Sequence, residues 1–280
     1  ITNLSELIGR DVSDNTPVFE MVHNNLVSEY LKNRGYKFIY FGSWWEPTRV
    51  NPQADRNINL YASSNEFLRK FGQTTVLNPI FFHVFKAGDI LGFSDERVRE
   101  NHKFQFEQLK KIAESPSPKF VFVHLLAPHS PYVFDADCNA FTTKSNNRSN
   151  EEYVAQLECI DNQLMQVIDA ILDKSDRLPI ILLQSDEGPF KVDEMNKHGE
   201  GVDWTKVSDD AARQHMGILN AYYLPDFDKS KLYPSITPVN SFRLIFNNYF
   251  GTHFTKLEDK SYFIPHLNRP YDFYEVTDIL

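Results

Sequence analysis

Four short apolar runs punctuate this chain, and each lies between stretches whose apolar residues recur at helical spacing. The runs are "YKFIYFGS" (36–43), "KFVFVHLLAP" (119–128), the segment 179–186 with Ile180, Ile181, Leu182 and Leu183, and "GILNAYYLP" (217–225). Short runs of β-branched and aromatic residues bounded by turn residues read as strands. Strands that alternate with helices build a mostly parallel sheet flanked by helices on both faces. The sequence therefore predicts an α/β fold, with residues 1–280 as a single domain.

The helices carry their own punctuation. "TPVFEMVHNNLVSEYLKNRG" (16–35) predicts one helix, with Thr16 as cap, Pro17 in the first turn and Gly35 as a left-handed stop. Residues 57–75 and 94–115 are also predicted to be helical. Ser149 and Glu152 have capping-box spacing, and Tyr153, Leu157, Ile160, Leu164, Val167 and Ile171 then repeat through about residue 174. Thr237 and Pro238 open a further helix that Gly251 ends. The chain begins with Ile1, and "ITNLSELIG" already places Leu4, Leu7 and Ile8 on one helical face, so sequence upstream is expected.

A net charge of −9 argues against a nucleic-acid partner, which needs clustered Lys and Arg. No apolar run approaches the roughly 18–20 residues of a membrane helix. Cys138 and Cys159 can pair in an oxidising compartment, but two thiols make no disulfide framework, and the spacing leaves the question open.

In open α/β sheets, ligands gather beyond the carboxyl ends of the strands. Three of these strands end in polar clusters, "FGSWWEPTR", "APHSPY" and "SDEGP", and the three ends are expected to line one cleft. Asp186 and Glu187, followed by Gly188 and Pro189, bring two oxygen donors suited to a divalent cation; they can equally cap the next element or pair with surface bases. Two uncompensated charges at the end of a buried strand would cost several kcal/mol, so a positive partner is expected. His129, in a loop fixed by Pro128 and Pro131, can donate to an anionic oxygen, act as acid or base, or be an ordinary loop histidine.

Other residues carry weaker signals. His124 lies inside a predicted strand and reads as core. His198, in a polar loop, is a further candidate metal ligand, and Arg213, His215 and Asn220 are placed near the same cleft. Trp44 and Trp45 can line a pocket or cover the sheet edge, and Thr48 and Arg49 beside them suit anion contact. No Gly-rich phosphate loop, G-x-S-x-G elbow, H-E-x-x-H or C-x-x-C pair occurs, which leaves hydride, P-loop and ordinary serine-hydrolase chemistry unsupported.

Five segments in register, "KFVFVHLLAPHSPYVFD", "YVAQLECIDNQLMQVIDAIL", "PIILLQSDEGP", "ILNAYYLP" and "LYPSITPVNSFRLIFNNYFG", resemble the sulfatase-like branch of the alkaline phosphatase superfamily. The nearest resemblance is to membrane-anchored prokaryotic proteins akin to lipoteichoic acid synthases and phosphoethanolamine transferases. "NNLVSEYLKNRGYKFIYFGSWWEPTR" and "NEFLRKFGQTT" fit as well. The resemblance implies metal-assisted cleavage or transfer of a sulfate or phosphate ester, at the extracytoplasmic face of a membrane. It also implies that a lipid head group or glycan can carry that ester. Asp186 would then be a metal ligand, with Glu187 at the position where most relatives carry His, and His129 would contact the substrate anion. Mn²⁺, Mg²⁺ or Ca²⁺ is favoured over Zn²⁺. The family's first acid and its Thr, Ser or modified Cys nucleophile would lie upstream of Ile1, so the 280 residues alone are expected to be inactive. The rival reading is a non-catalytic domain that binds an anionic glycan or lipid head group.

Overall fold

The run 37–41 forms β1 (Lys37–Phe41), and every residue after Lys37 is buried, as a central strand requires. In this computed structural model, which describes residues 4–60, 95–141, 149–189, 207–264 and 268–280, β1 is the middle strand of a parallel sheet. Its neighbours are β2 (Arg56–Ile58) and β3 (Lys119–Val123), with Phe41 opposite Ile58 on one side and Val123 on the other. Ile39 and Phe41 join a core to which α4 (Asp95–Leu109) brings Val98, Phe106 and Leu109, and α5 (Asn150–Lys174) brings Cys159, Ile160 and Val167. Phe38 and Tyr40, at alternate positions, stack on Phe120 and Phe122 at 5.3 and 5.2 Å. Each such side chain contributes roughly 1.5–3 kcal/mol when fully buried.

This sheet belongs to a unit spanning Phe19–Asp176; a second unit comprises Ile1–Val18 and Arg177–Leu280. The helix expected at the start of the chain is α1 (Leu4–Ile8), and the one expected over 16–35 is two helices, α2 (Thr16–His23) and α3 (Leu26–Lys32). Asn25 breaks it: its extended backbone leaves the helix and its side chain accepts from Ser28 N at 2.8 Å, which caps a new start. Gly35 stops α3 at φ +84°, as its position suggested. The helix expected at 57–75 is also corrected, because Asn57 and Ile58 belong to β2; residues 61–94 lie outside the described residues. The capping box of α5 is present, with Ser149 Oγ accepting from Glu152 N at 3.1 Å. Cys138 and Cys159 are joined by a disulfide.

In the second unit, β4 (Ile181–Gln184) pairs with β5 (Asn220–Tyr223), and the pair is antiparallel, Leu183 facing Ala221. The fourth predicted strand thus runs against the parallel expectation. β4 is half-buried rather than fully buried, because among the described residues it has one neighbour only. Ser208 caps α6 (Asp209–Met216), which leads into β5, and α7 (Pro238–Tyr249) follows Thr237 and stops before Gly251 at φ +63°. Ala212, Phe263 and Val276 form a small core beside α6. Among the described residues no helix is long and apolar enough to cross a membrane.

Candidate functional site

Because β1 and β3 are parallel neighbours, the segments that leave their carboxyl ends emerge together. His124 N donates to Phe41 O at 3.1 Å and carries the ladder one step past β3. After β1 the chain doubles back so tightly that a Cβ on Gly42 would lie 2.0 Å from Arg49 O. Ser43 N donates to Thr48 O at 3.1 Å, the Ser43 and Thr48 hydroxyls meet at 2.8 Å, and Thr48 Oγ1 lies 2.5 Å from His124 Nδ1. Gln105 is wholly buried, and its Nε2 donates to Gly42 O and His124 O at 2.9 and 3.2 Å. Thr48 is therefore an internal strut, 5% exposed. Arg49 places its guanidinium 2.7 Å from Glu46 Oε1. Trp45 is exposed and meets His124 edge-on at 6.0 Å.

His129 stands out from this cluster. Its backbone N donates to Leu126 O at 2.8 Å, its ring is exposed, and Nδ1 lies 2.6 Å from Ser130 O. A carbonyl only accepts, so Nδ1 carries the proton and Nε2 is the nitrogen left for a ligand.

In the second unit, Asp186 and Glu187 follow β4 directly. Ser185 bonds Leu219 twice: N to O at 3.0 Å, and Leu219 N to Ser185 Oγ at 2.9 Å. Gly188 N donates to His215 O at 2.6 Å, and a Cβ on Gly188 would lie 2.3 Å from Gln214 O. Only glycine lets this turn press against the end of α6. Both acids are exposed, so the burial penalty expected of them does not arise. Glu187 Oε2 lies 3.3 Å from His215 Nε2. Burial holds the His215 imidazole below its ordinary pKa, with Gly188's backbone and Asp186's charge pulling the other way. The contact sets a largely buried imidazole against an exposed carboxylate. Of the other residues read as bordering the cleft, Arg213 pairs with Asp209 and Asp210 on its own helix, and Asn220 accepts from Gln184 at 2.7 Å. His198 lies outside the described residues.

Among the described residues, no group of three or more His, Cys, Asp or Glu side chains is arranged to hold a metal ion. Asp186 and Glu187 have the right donor chemistry for a hard cation but do not complete its shell.

A family model described as Sulfatase matches residues 7–242, a span that includes both strand-end clusters. The chain belongs to the sulfatase family. Its parallel sheet and flanking helices are those of the α/β, alkaline-phosphatase-like fold. Sulfatases act by hydrolysis or transfer of sulfate or phosphate esters, and their domains generally use a divalent metal ion. No curated protein and no solved structure matches the chain. Within this sulfatase domain, sequence reading passed over Gln105 and Gln156. Both sit on buried helix faces, where a buried amide must find hydrogen-bond partners.

Proposed function

We propose that the native protein cleaves or transfers a sulfate or phosphate ester, with His129 meeting the ester's anionic group and Asp186 and Glu187 serving a hard divalent cation. The observation that carries this reading is His129 itself, exposed, with Nδ1 committed to Ser130 O at 2.6 Å, which leaves Nε2 as the nitrogen for a ligand. Nε2 then donates to an anionic oxygen when the ring is protonated, or accepts a proton when it is neutral. Arg49 would meet the same anion by exchanging its partner Glu46, while Thr48 supports the cluster from inside through His124. Bound at the acidic pair, the ion would supply Lewis-acid polarisation of an ester oxygen. Hard oxygen donors favour Mn²⁺, Mg²⁺ or Ca²⁺ over Zn²⁺.

The nucleophile is proposed to come from outside these 280 residues. Among the described residues, the hydroxyls of Ser43, Thr48 and Ser185, which follow the strand ends, are engaged in internal hydrogen bonds. The resemblance to lipoteichoic acid synthases and phosphoethanolamine transferases supports a membrane-anchored, extracytoplasmic protein that acts on a lipid- or glycan-borne ester. The Cys138–Cys159 disulfide agrees with an oxidising compartment. The test is turnover of 4-nitrophenyl sulfate and 4-nitrophenyl phosphate by the full-length protein. His129→Ala and Asp186→Ala should each lower kcat/KM by about 100-fold or more. Folded variants that turn over at the parental rate would remove the reading.

A further inference from the structure

We propose that Gln156 is the positioning residue that fixes the imidazole of His129, an inference that rests on His129 being the anion contact. Gln156 lies in α5 with no exposed surface. Its Oε1 accepts from Val133 N at 2.7 Å, and its Nε2 donates to Pro128 O at 3.1 Å and His129 O at 3.3 Å. Both amide hydrogens are used, and the two partner types allow one orientation: a flipped amide would set oxygen against two carbonyls and NH₂ against an N–H.

The segment 128–133 needs this help. Pro128 and Pro131 carry no N–H, so the segment has few donors with which to fold upon itself. Its two ends are anchored, with Ala127 and Val133 buried, and the single amide of Gln156 bridges both. Between them His129 is exposed. With His129 O held, Ser130 O stays 2.6 Å from His129 Nδ1, and that bond dictates which nitrogen carries the proton. Gln156 thus acts through the main chain on the tautomer of a residue it touches only at its carbonyl. One turn along α5, Cys159 ties down Cys138, so the same helix also holds the chain downstream of the loop.

The experiment is a long-range imidazole ¹H–¹⁵N spectrum of the full-length protein, with the His129 signals identified by their loss in His129→Ala. The native protein should show the Nδ1–H tautomer. Gln156→Leu, which keeps the volume and removes all three bonds, should mix it with the Nε2–H form. The same variant should lower kcat/KM for 4-nitrophenyl sulfate by about 10- to 100-fold, mainly through KM. If Gln156→Leu does not fold, Gln156→Glu keeps the bond from Val133 N, loses those to the two carbonyls, and should show the same mixing. A folded variant whose His129 stays purely Nδ1–H overturns the proposal. A shifted tautomer with kcat/KM unmoved, in a protein that His129→Ala cripples, overturns it equally. Normal turnover by His129→Ala would instead remove the anion-contact reading, and the tautomer measurement would still decide what Gln156 does.

Discussion

Glu187 Oε2 lies 3.3 Å from His215 Nε2, so the second acid of the pair is held from behind by a buried imidazole at the far end of α6. Gly188 makes this possible, since its N–H bonds the His215 carbonyl and draws the two segments together. A side chain that orients a ligating or reacting carboxylate is commonly worth about 10- to 100-fold in metal affinity or activity. His215→Leu should cost the full-length protein that much in kcat/KM, whereas His215→Gln, which keeps an N–H donor, should recover most of it. Equal activity in both variants would mean that Glu187 needs no support from His215.

Two close approaches of a glycine to neighbouring main chain make a second prediction. A Cβ at Gly42 would fall 2.0 Å from Arg49 O, and one at Gly188 would fall 2.3 Å from Gln214 O. In both cases the obstacle is main chain, which cannot swing aside as a flexible side chain would. Gly42→Ala and Gly188→Ala should each destabilise the protein by about 2 kcal/mol or more, at the upper end of overpacking costs. Urea unfolding measures this, and a loss below about 0.5 kcal/mol at either position would contradict the geometry.

His102 supplies a pH-dependent prediction. It is buried on α4 beside Phe134, and burial pushes its imidazole down to about 4, with a hydrogen bond to Gln105 pulling the other way. The folded state therefore binds this proton more weakly than the unfolded chain, whose histidine titrates near 6.5. The stability it contributes is complete above pH 6.5 and is lost as the pH falls through about 4. The full span is roughly 3 kcal/mol. Urea melts at pH 7 and 4.5 should show the native protein weakening by more than His102→Phe does. Acids such as Asp55 are common to both proteins and cancel in the difference. Identical pH dependence in the two would show that His102 is not buried neutral.

The parts of this fold that sequence made legible are those specified locally. Ser149 with Glu152 marks a helix start through a reciprocal cap three residues apart, and Thr237 with Pro238 and the glycines at 35 and 251 mark helix ends through their own backbone conformations. What escaped depends on partners distant in sequence. The strand Arg56–Ile58 is too short to show a period and exists because β1 offers it an edge. His124 reads as a satisfied core residue, and the partner that satisfies it, Thr48, lies 76 residues away in the chain. Asp186 and Glu187 were visible as a pair, but their exposure and the approach of His215 follow from the turn at Gly188.

The last prediction concerns metal. Asp186 and Glu187 give two carboxylates at the end of β4, and no third His, Cys, Asp or Glu completes a site with them among the described residues. A Ca²⁺ ion asks for about six to eight oxygens, and Mg²⁺ for a near-ideal octahedron, so two adjacent acids hold either ion weakly. On the proposed reading, a longer form that carries the further acid implied by the family resemblance should bind a hard divalent ion well. Calorimetric titration of both forms with Mn²⁺, Ca²⁺ and Zn²⁺ separates these expectations. The 280-residue chain should give little heat with any of them, and the full-length protein should bind Mn²⁺ or Ca²⁺ in a manner abolished by Asp186→Ala. His215 Nε2 lies 3.3 Å from Glu187 Oε2 and is a nitrogen able to draw Zn²⁺ to the pair, and Glu187→Gln tests that route. Tight Zn²⁺ binding by the 280-residue chain, unchanged in Glu187→Gln, would place the metal somewhere other than the Asp186–Glu187 turn.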